Sequence, residues 1–372
     1  MGELYIGVMS GTSLDGADVV IVELDGTDCL VHSTDTTPFP KQLSIQLRAL
    51  TETPEISLIE LGTLDAALGS FFASCVRKSL ISSGRNAGDI VAIGHSGQTV
   101  FHKPAQPHPF TIQIGDPNII AAETGIDVVA DFRRMDVAHG GQGAPLVPTF
   151  HEWCFADPYE TRVALNLGGI ANITVIDPRE PLTGFDTGPA NLLLDAWCYR
   201  CWGERYDVDG HRARNGKIAP DLQAIFIADT YFEQPPPKST GFEYFNLNWV
   251  TKKLAQYGRA ITDSDVLATL TEVTAATVSN AIKTSAPEAK RIILCGGGTF
   301  NSYLVERLKS LLTASVVESS SAHGVAPEWV EALAFAWLAK TRLENKPGNA
   351  TTVTGARQTT TLGGIYTAKQ HG

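Results

Sequence analysis

The first residues whose types suggest chemistry form a loop near the start of the chain. Positions 10–18 read Ser-Gly-Thr-Ser-Leu-Asp-Gly-Ala-Asp and lie between two apolar runs. Glycine lets a backbone approach a ligand closely, and hydroxyl and amide groups donate hydrogen bonds to anions. The loop therefore predicts a phosphate-binding site. Because the β-branched run 19–24 follows it, we expect a β-hairpin, whereas a Walker A loop or a dinucleotide-binding loop leads into a helix.

The same plan occurs again in the middle of the chain. Residues 162–176 read as an apolar strand, a turn that contains Asn166, Gly168 and Gly169, and a second β-branched strand. Two copies of one supersecondary unit favour duplicated lobes. We expect the nucleotide to lie in the cleft between them.

A third glycine turn follows the buried run 291–295. Gly296, Gly297 and Gly298 would allow backbone to lie flat against a base or a sugar. Tight packing of a strand on a helix explains such a turn equally well, and both interpretations stay open.

One carboxylate stands out as a candidate general base. Asp186 lies in the segment Phe-Asp-Thr-Gly-Pro-Ala-Asn (185–191), which we expect to form a strand-to-helix turn. Phosphoryl transfer needs positioning, charge neutralisation and a group that takes a proton from the nucleophile. The alternative of an aspartic protease requires a second Asp-Thr-Gly, and the 372 residues contain none. A helix N-cap before Pro189 is the remaining alternative.

Polar residues also collect where a predicted strand ends. The run 89–94 is apolar and β-branched, and open α/β sheets bind ligands at the carboxyl ends of their strands. A hydrogen-bonded turn is the alternative to ligand contact. The residues concerned are His95, Ser96, Gln98 and Thr99.

The surrounding pattern indicates an α/β protein. Helical periodicity predicts helices over 56–83 and 327–338, and the run 126–132 predicts a strand. Asp116 and Asn301 are placed to cap two further helices, which would end near Glu123 and Leu312.

Composition limits the class of protein. A chain of 372 residues with 43% hydrophobic and 19% charged residues predicts two folded lobes without a membrane span. The net charge of −11 argues against a nucleic-acid partner. The first residues carry no basic segment, so we expect a cytoplasmic protein with reduced cysteines. Cys198 and Cys201 form a C-x-x-C, which we interpret as structural because no second pair occurs at zinc spacing.

Eight ordered motifs, together spanning nearly the whole chain, resemble the anhydro-N-acetylmuramic acid kinase family, within the superfamily of actin, hexokinase and Hsp70. They are Gly-Val-Met-Ser-Gly-Thr-Ser-Leu-Asp-Gly-Ala-Asp (7–18), His-Ser-Gly-Gln-Thr (95–99), Asp-Phe-Arg-Arg (131–134), Gly-Gly-Gln-Gly-Ala-Pro-Leu (140–146), Asn-Leu-Gly-Gly-Ile-Ala-Asn (166–172), Phe-Asp-Thr-Gly-Pro-Ala-Asn (185–191), Lys-Ser-Thr-Gly (238–241) and Glu-Ala-Leu-Ala-Phe-Ala-Trp-Leu (331–338). The sequence departs from the family pattern at Phe242, where we expect Arg.

The resemblance implies a fold and a reaction. The fold is a two-lobed, actin-like (ribonuclease H-like) α/β ATPase fold with duplicated mixed β-sheets and an interlobe cleft. We expect residues 1–134 plus 345–372 in the first lobe and 135–344 in the second. The reaction opens the 1,6-anhydro bridge of the sugar with water and phosphorylates O6 with ATP, which gives N-acetylmuramate 6-phosphate and ADP.

The resemblance also implies roles for individual residues. Asp186 would deprotonate the attacking water. Asp15 or Asp18 would order Mg²⁺ through water, and Arg134 would bind the lactyl carboxylate. The implied ATP contacts are Gly11, Thr12, Ser13, Leu14, Asp15, Gly16, Ala17, Asp18, Asn166, Gly168, Gly169, Gly296, Gly297 and Gly298. The implied sugar contacts are His95, Ser96, Gln98, Thr99, Arg134, Asp136 and Glu331. A homodimer is implied as well.

Two rival functions stay open at this stage. One is an anhydrosugar kinase that acts on levoglucosan, which lacks the N-acetyl and lactyl groups. The other is a nucleotide-switched binding protein of the chaperone or actin type. A chaperone would append a peptide-binding domain, and we expect none here.

Overall fold

The chain folds into two compact units. The computed structural model describes residues 2–368 except 12, 13, 53, 54 and 105. The first unit comprises Met1–Cys154 and Trp329–Gly372, and the second comprises Phe155–Glu328. Residues 135–154 and 329–344, which the sequence analysis assigns to the second lobe, thus belong to the first unit.

Strands and helices occur mostly in groups along the chain. The strands are β1 (Glu3–Met9), β2 (Gly16–Asp25), β3 (Asp28–Pro38), β4 (Ile90–His95), β5 (Gln98–Lys103), β6 (Phe110–Ile114), β7 (Val128–Ala130), β8 (Arg162–Leu167), β9 (Ile170–Ile176), β10 (Thr183–Pro189), β11 (Arg291–Cys295), β12 (Val316–Ser319) and β13 (Gly364–Tyr366). The helices are α1 (Lys41–Glu52), α2 (Leu58–Ser83), α3 (Pro117–Thr124), α4 (Arg134–Ala138), α5 (Val147–Phe155), α6 (Asn191–Trp202), α7 (His211–Asn215), α8 (Pro220–Ile227), α9 (Thr230–Glu233), α10 (Leu247–Tyr257), α11 (Asp263–Ser285), α12 (Ser302–Leu311), α13 (Val330–Leu343) and α14 (Thr351–Thr354).

The two units contain sheets with the same plan. The first sheet has the order β13-β7-β4-β1-β2-β3, and the second has the order β10-β9-β8-β11-β12. In each, three antiparallel strands form a meander, and the first of them pairs in parallel with the next strand along the chain. A fifth strand, β7 in the first sheet and β12 in the second, then pairs in parallel with β4 or β11. The predicted duplication, the mixed sheets and both glycine hairpins are confirmed.

Most predicted elements are present at the expected positions. Asp116 caps α3 through its side chain, and Gly125 ends that helix with a φ of 72°. Asn301 caps α12 by accepting a hydrogen bond from the Leu304 amide. The strand predicted over 126–132 is shorter, because only Val128–Ala130 pairs with its neighbours.

Helix α2 is a core helix of the first unit. Its 26 residues are long and apolar enough to cross a membrane by length and composition. However, Leu64, Leu68, Phe72 and Val76 are buried in the core that the first sheet also lines. This apolar face packs inside the unit, which is typical of a globular protein.

Helix α13 packs on the first sheet where that sheet carries glycines. A Cβ atom at Gly7 on β1 would overlap the carbonyl oxygen of Ala332. One at Gly94 on β4 would overlap the carbonyl oxygen of Phe335. The backbone of α13 therefore approaches two adjacent strands more closely than any side chain permits.

We predict that Gly94→Ala lowers the free energy of unfolding by about 2 kcal/mol, because the added methyl must push α13 away from β4. Gly62→Ala is the matched control. Gly62 lies in α2, and an added Cβ meets nothing within 4 Å, so this change should raise the free energy of unfolding by about 0.5–1 kcal/mol. Urea unfolding measures both values. Equal effects of the two substitutions would contradict the packing of α13.

Candidate functional site

The first hairpin loop is held by a polar network inside the first unit. The hydroxyl oxygen of Ser10 lies 2.6 Å from Gln98 Oε1 and 2.8 Å from the carbonyl oxygen of Gly16. Gln98 Nε2 donates to the carbonyl oxygen of Gly11 over 3.4 Å, and the Leu14 amide donates to the same oxygen over 3.3 Å. Ser10 and Gln98 thus fix both ends of the loop. Thr12 and Ser13 lie outside the described residues.

Several predicted phosphate contacts in this loop offer only backbone groups. Leu14 adopts a φ of 56°, and its side chain is buried in the core, as is that of Ala17. Gly16 has no room for a Cβ, since this atom would overlap the carbonyl oxygen of Thr37 on β3. Glycine is therefore needed at position 16 for the pairing of β2 with β3.

The two carboxylates proposed for a metal differ in their surroundings. Asp15 is exposed, and its Oδ1 lies 3.8 Å from Arg48 Nη2. Asp18 Oδ1 accepts a hydrogen bond of 2.7 Å from Thr36 Oγ1. Within the described part of the chain, no group of three or more His, Cys, Asp or Glu side chains could hold a metal ion. A cation here would thus need phosphate and water oxygens in addition.

The polar residues after β4 mostly support the hairpin loop. Ser96 Oγ accepts a hydrogen bond of 3.2 Å from the Ser10 amide, and Gln98 is fully buried. The Nε2 atom of His95 lies 3.2 Å from the carbonyl oxygen of Gly115, and burial lowers the pKa of this histidine to about 4. These contacts favour the hydrogen-bonded turn over ligand contact for the three residues. Thr99 is half-buried and keeps part of its surface accessible.

The two neighbouring arginines that follow β7 differ in exposure and in their contacts. Arg134, the residue chosen from the sequence, has a side chain that is 62% exposed, and its Nε lies 3.3 Å from Asp131 Oδ1. Arg133 is far less exposed, and its Nη1 donates a hydrogen bond of 2.9 Å to the carbonyl oxygen of Gly143. Burial lowers the pKa of Arg133, and the carboxylate of Glu331 opposes this shift. Arg133 is thus the cation near Glu331, and no pattern in the sequence distinguishes it from Arg134.

Asp136 is enclosed and bonded on both carboxylate oxygens. Its Oδ1 accepts hydrogen bonds of 2.7 Å from Asn349 Nδ2 and from Thr354 Oγ1. Its Oδ2 accepts one of 2.7 Å from the Gly143 amide, and the side chain is fully buried. A role in joining these segments explains Asp136 better than the predicted sugar contact does.

The glycines of the second unit fall into two groups. A Cβ at Gly296 or Gly298 would collide with Asn166 Oδ1 or Leu167, so packing of the protein itself requires these two glycines. At Gly168, Gly169 and Gly297, a Cβ would meet no other part of the protein within 3.4 Å. No close protein contact therefore requires glycine at these three positions, which leaves space for a ligand beside the backbone.

A row of polar side chains crosses the second sheet. Asp186 on β10 lies opposite Asn172 on β9, which lies opposite Asn166 on β8. Their neighbours Phe185 and Leu165 point to the opposite face and belong to the apolar core under α11 and α12. The alternation of side chains along a strand therefore places three polar groups on one face, close to the Gly168 turn.

Asp186 is held from its backbone and from one carboxylate oxygen. Its amide donates a hydrogen bond of 3.1 Å to the carbonyl oxygen of Lys238, and its Oδ2 accepts one of 3.0 Å from the Thr240 amide. Tyr231 Oη donates to its carbonyl oxygen over 2.8 Å. Oδ1 accepts no hydrogen bond from the described residues and remains available to a ligand.

Burial raises the pKa of Asp186 to about 6. The Thr240 amide lowers this value and the Glu243 carboxylate raises it, both to a smaller extent. The ammonium group of Lys238 does not neutralise the carboxylate. It donates to the carbonyl oxygen of Tyr231 over 3.1 Å and lies 4.7 Å from the centre of that ring. A carboxylate with this pKa is suited to general base catalysis near neutral pH.

Two details of the prediction for Asp186 are wrong. The residue lies within β10, three positions before the end of the strand, and does not lie in a turn. Ala190 occupies the N-cap of α6, so the capping interpretation of Asp186 fails. The segment that holds the carboxylate was present in the sequence as Lys-Ser-Thr-Gly (238–241), but nothing in its composition indicated contact with β10.

The C-x-x-C motif lies within helix α6. Cys198 is buried in α6 and Cys201 half-buried in the same helix. Both have free thiols. Burial raises the pKa of each thiol.

The duplicated sheets and paired glycine hairpins define an α/β fold of the class that contains actin-like ATPases and sugar kinases. An activator of 2-hydroxyisocaproyl-CoA dehydratase from Clostridium difficile with bound ADPNP aligns with 92% of this chain and 96% of its own, at 12% identity and a TM-score of 0.49. A ROK family glucokinase from Streptomyces griseus in complex with glucose and AMPPNP aligns with 91% of this chain and 99% of its own, at 14% identity and a TM-score of 0.40. Likeness at this level is no evidence for a shared ligand.

Sequence similarity identifies the family. The family model of anhydro-N-acetylmuramic acid kinase matches residues 3–368. Proteins of that name from Coxiella burnetii strains Dugway 5J108-111 and RSA 493 / Nine Mile phase I are each 47% identical over 366 residues, which is 98% of this chain and 97% of theirs. The chain belongs to the anhydro-N-acetylmuramic acid kinase family.

We predict opposite effects on stability for two Asp→Asn substitutions at pH 8. Asp136→Asn should lower the free energy of unfolding by about 2–4 kcal/mol, because an amide cannot accept all three hydrogen bonds. Asp186→Asn should raise it by about 1–2 kcal/mol, because a desolvated charge disappears. Urea unfolding measures both changes.

The effect of Asp186→Asn on the free energy of unfolding should depend on pH in a defined direction. The pKa of Asp186 is about 6 in the folded state and 3.8 in the reference state, so folded protein binds more protons between these values. The ionised carboxylate therefore reduces stability as the pH rises from about 4 to 6. Below about pH 4 this difference between wild type and Asp186→Asn should vanish, and a difference that grows towards acid pH would contradict the assigned shift.

Proposed function

We propose that this chain uses ATP and water to open the 1,6-anhydro bridge of anhydro-N-acetylmuramic acid and to phosphorylate O6, in the recycling of cell-wall sugars. Family membership supports the reaction. The observation that carries the mechanism is Asp186, a carboxylate with a raised pKa, one oxygen held by an amide and the other available.

The proposed reaction needs one base. Asp186 Oδ1 takes a proton from water while the water oxygen forms a bond to the anomeric carbon. The bond between that carbon and O6 breaks, and O6 attacks the γ-phosphorus of ATP, which releases ADP. A glycosidase needs a second carboxyl group to protonate the leaving oxygen, whereas here the phosphoryl group captures it. This explains how a single carboxylate suffices.

The proposed ATP contacts come from glycine turns. In the first unit, backbone amides of the loop that contains Gly11 and Asp15 would bind phosphate oxygens. In the second unit, the space beside Gly168 and Gly169 would admit phosphate, and the exposed Gly297 would lie beside the nucleoside. No contact of the protein itself explains glycine at these last three positions, which supports the proposal.

The first hairpin fits a magnesium ion bound mainly through the nucleotide. Asp15 or Asp18 would order the ion through water, because Mg²⁺ keeps several water ligands when it binds substrate phosphates. The ion would neutralise phosphate charge in this position. We also propose a homodimer in the cytoplasm, on family resemblance, and sedimentation velocity measures the oligomeric state.

The product distinguishes the proposed function from its rivals. The protein is incubated with ATP, magnesium and either anhydro-N-acetylmuramic acid or levoglucosan, and the products are identified by mass spectrometry. We expect N-acetylmuramate 6-phosphate and stoichiometric ADP. Saturable turnover of levoglucosan without turnover of the muramyl sugar would show that the enzyme is a levoglucosan kinase. Nucleotide hydrolysis without any sugar product would favour a nucleotide-switched binding protein.

Asp186→Asn should lower kcat by at least about 1,000-fold, because the amide cannot accept the proton of water. The dissociation constant for ATP should change less than about threefold, since Asp186 is proposed to act on water alone. Steady-state kinetics and calorimetry give the two values. Near wild-type turnover in this variant would show that another residue is the general base.

The pH dependence of kcat/KM should report the same carboxylate. Because the base must be ionised, kcat/KM should fall on acidification below about pH 6, the pKa of Asp186, and reach a plateau above it. The residual activity of Asp186→Asn should lack this acidic limb. An unchanged limb in that variant would assign the titration to another group.

A further inference from the structure

Arg133 is a half-buried cation without an ion-pair partner among the described residues. Its one hydrogen bond is the 2.9 Å contact from Nη1 to the carbonyl oxygen of Gly143. Its Nε is enclosed and makes no hydrogen bond to any described group. Nη2 likewise makes none, but unlike Nε it is not enclosed. One end of an otherwise desolvated guanidinium group therefore remains available.

The surroundings of Arg133 hold its position without neutralising its charge. Glu331 is near enough to affect its pKa, but no described carboxylate oxygen lies within 4 Å of its guanidinium group. His102 is a neighbour whose pKa burial and the Arg133 charge lower to about 4, so this imidazole is neutral at pH 7. Its Nδ1 lies 3.1 Å from Thr111 Oγ1.

The unpaired guanidinium group of Arg133 lowers the stability of the folded protein unless an anion binds to it. Buried charges in proteins are normally paired, because the loss of hydration is not otherwise compensated. Arginine is suited to carboxylates since its planar group donates two parallel hydrogen bonds. Arg134 lacks these features, because it is largely exposed and lies beside Asp131.

We propose that Arg133 binds the lactyl carboxylate of the sugar and thereby selects muramyl substrates over anhydrosugars that lack this group. The inference rests on the proposed function and assigns the specificity to one side chain. Nη2 donates to the carboxylate, and the bond to Gly143 fixes the plane of the guanidinium group. Arg133 takes no part in breaking or forming covalent bonds.

The test compares two sugars that differ only in the lactyl group. Wild type, Arg133→Met, Arg133→Lys and Arg134→Met are assayed with anhydro-N-acetylmuramic acid and with 1,6-anhydro-N-acetylglucosamine. In Arg133→Met, kcat/KM for the muramyl sugar should fall at least 100-fold, mainly through KM, and the ratio of kcat/KM for the two sugars should approach 1. Arg133→Lys should retain part of the preference, because it keeps the charge without the planar pair of donors. Arg134→Met examines the residue chosen from the sequence, and its ratio should stay within threefold of wild type.

Thermal stability and ATP affinity distinguish a role of Arg133 in sugar binding from a role in phosphate binding or in structure. Arg133→Met should unfold at the same temperature as wild type or higher, because an unpaired and largely desolvated charge is removed. An increase of more than tenfold in the dissociation constant for ATP would assign Arg133 to phosphate and overturn the proposal. A large loss of thermal stability in Arg133→Met would assign Arg133 a structural role and overturn the proposal. The proposal would also be overturned if the ratio of kcat/KM for the two sugars were unchanged in both Arg133 variants. Absence of turnover of either sugar by wild type would instead refute the proposed function.

Discussion

The proposed chemistry depends on two charged side chains that the protein does not pair with counter-ions. Asp186 in the second unit is a half-buried carboxylate that receives one backbone hydrogen bond, while nearby Lys238 directs its ammonium group to the carbonyl oxygen of Tyr231. Arg133 in the first unit is a desolvated guanidinium group without an ion pair among the described residues. Each charge is costly in the free protein and available to a reactant.

Strand geometry explains the position of the carboxylate. Phe185 belongs to the core, so the next residue on β10 must face the opposite side of the sheet. Pairing with β9 and β8 then aligns Asp186 with Asn172 and Asn166. The segment 238–240 adds the hydrogen bonds that orient Asp186. Strand pairing therefore sets where the carboxylate lies, and a segment distant in sequence sets its orientation.

The sequence predicted the features that local chemistry determines. Both hairpins could be recognised because β-branched residues follow each glycine turn, and the helix caps Asp116 and Asn301 could be recognised because capping needs an acceptor at one defined position. Eight motifs identified the family before the fold was known. The choice of Asp186 followed from these motifs and from its isolation in the sequence.

Tertiary packing determined the features that the sequence did not predict. The choice between Arg133 and Arg134 depends on which of two adjacent residues faces the Gly143 backbone, and no sequence pattern records this. Asp136 resembled a ligand contact until Asn349 and Thr354, distant in sequence, proved to bind its oxygens. The unit boundary differs for the same reason, since α13 packs on β1 and β4 through Gly7 and Gly94.

The proposed mechanism requires that Asp186 be a desolvated carboxylate with a pKa close to neutral pH. A direct test is a carbon-13 NMR titration of the aspartate side chains, with the Asp186 signal assigned by its absence from Asp186→Asn. We expect a pKa of about 6 for this carboxyl group. A value at or below the ordinary 3.8 would rule out the proposed desolvation of Asp186.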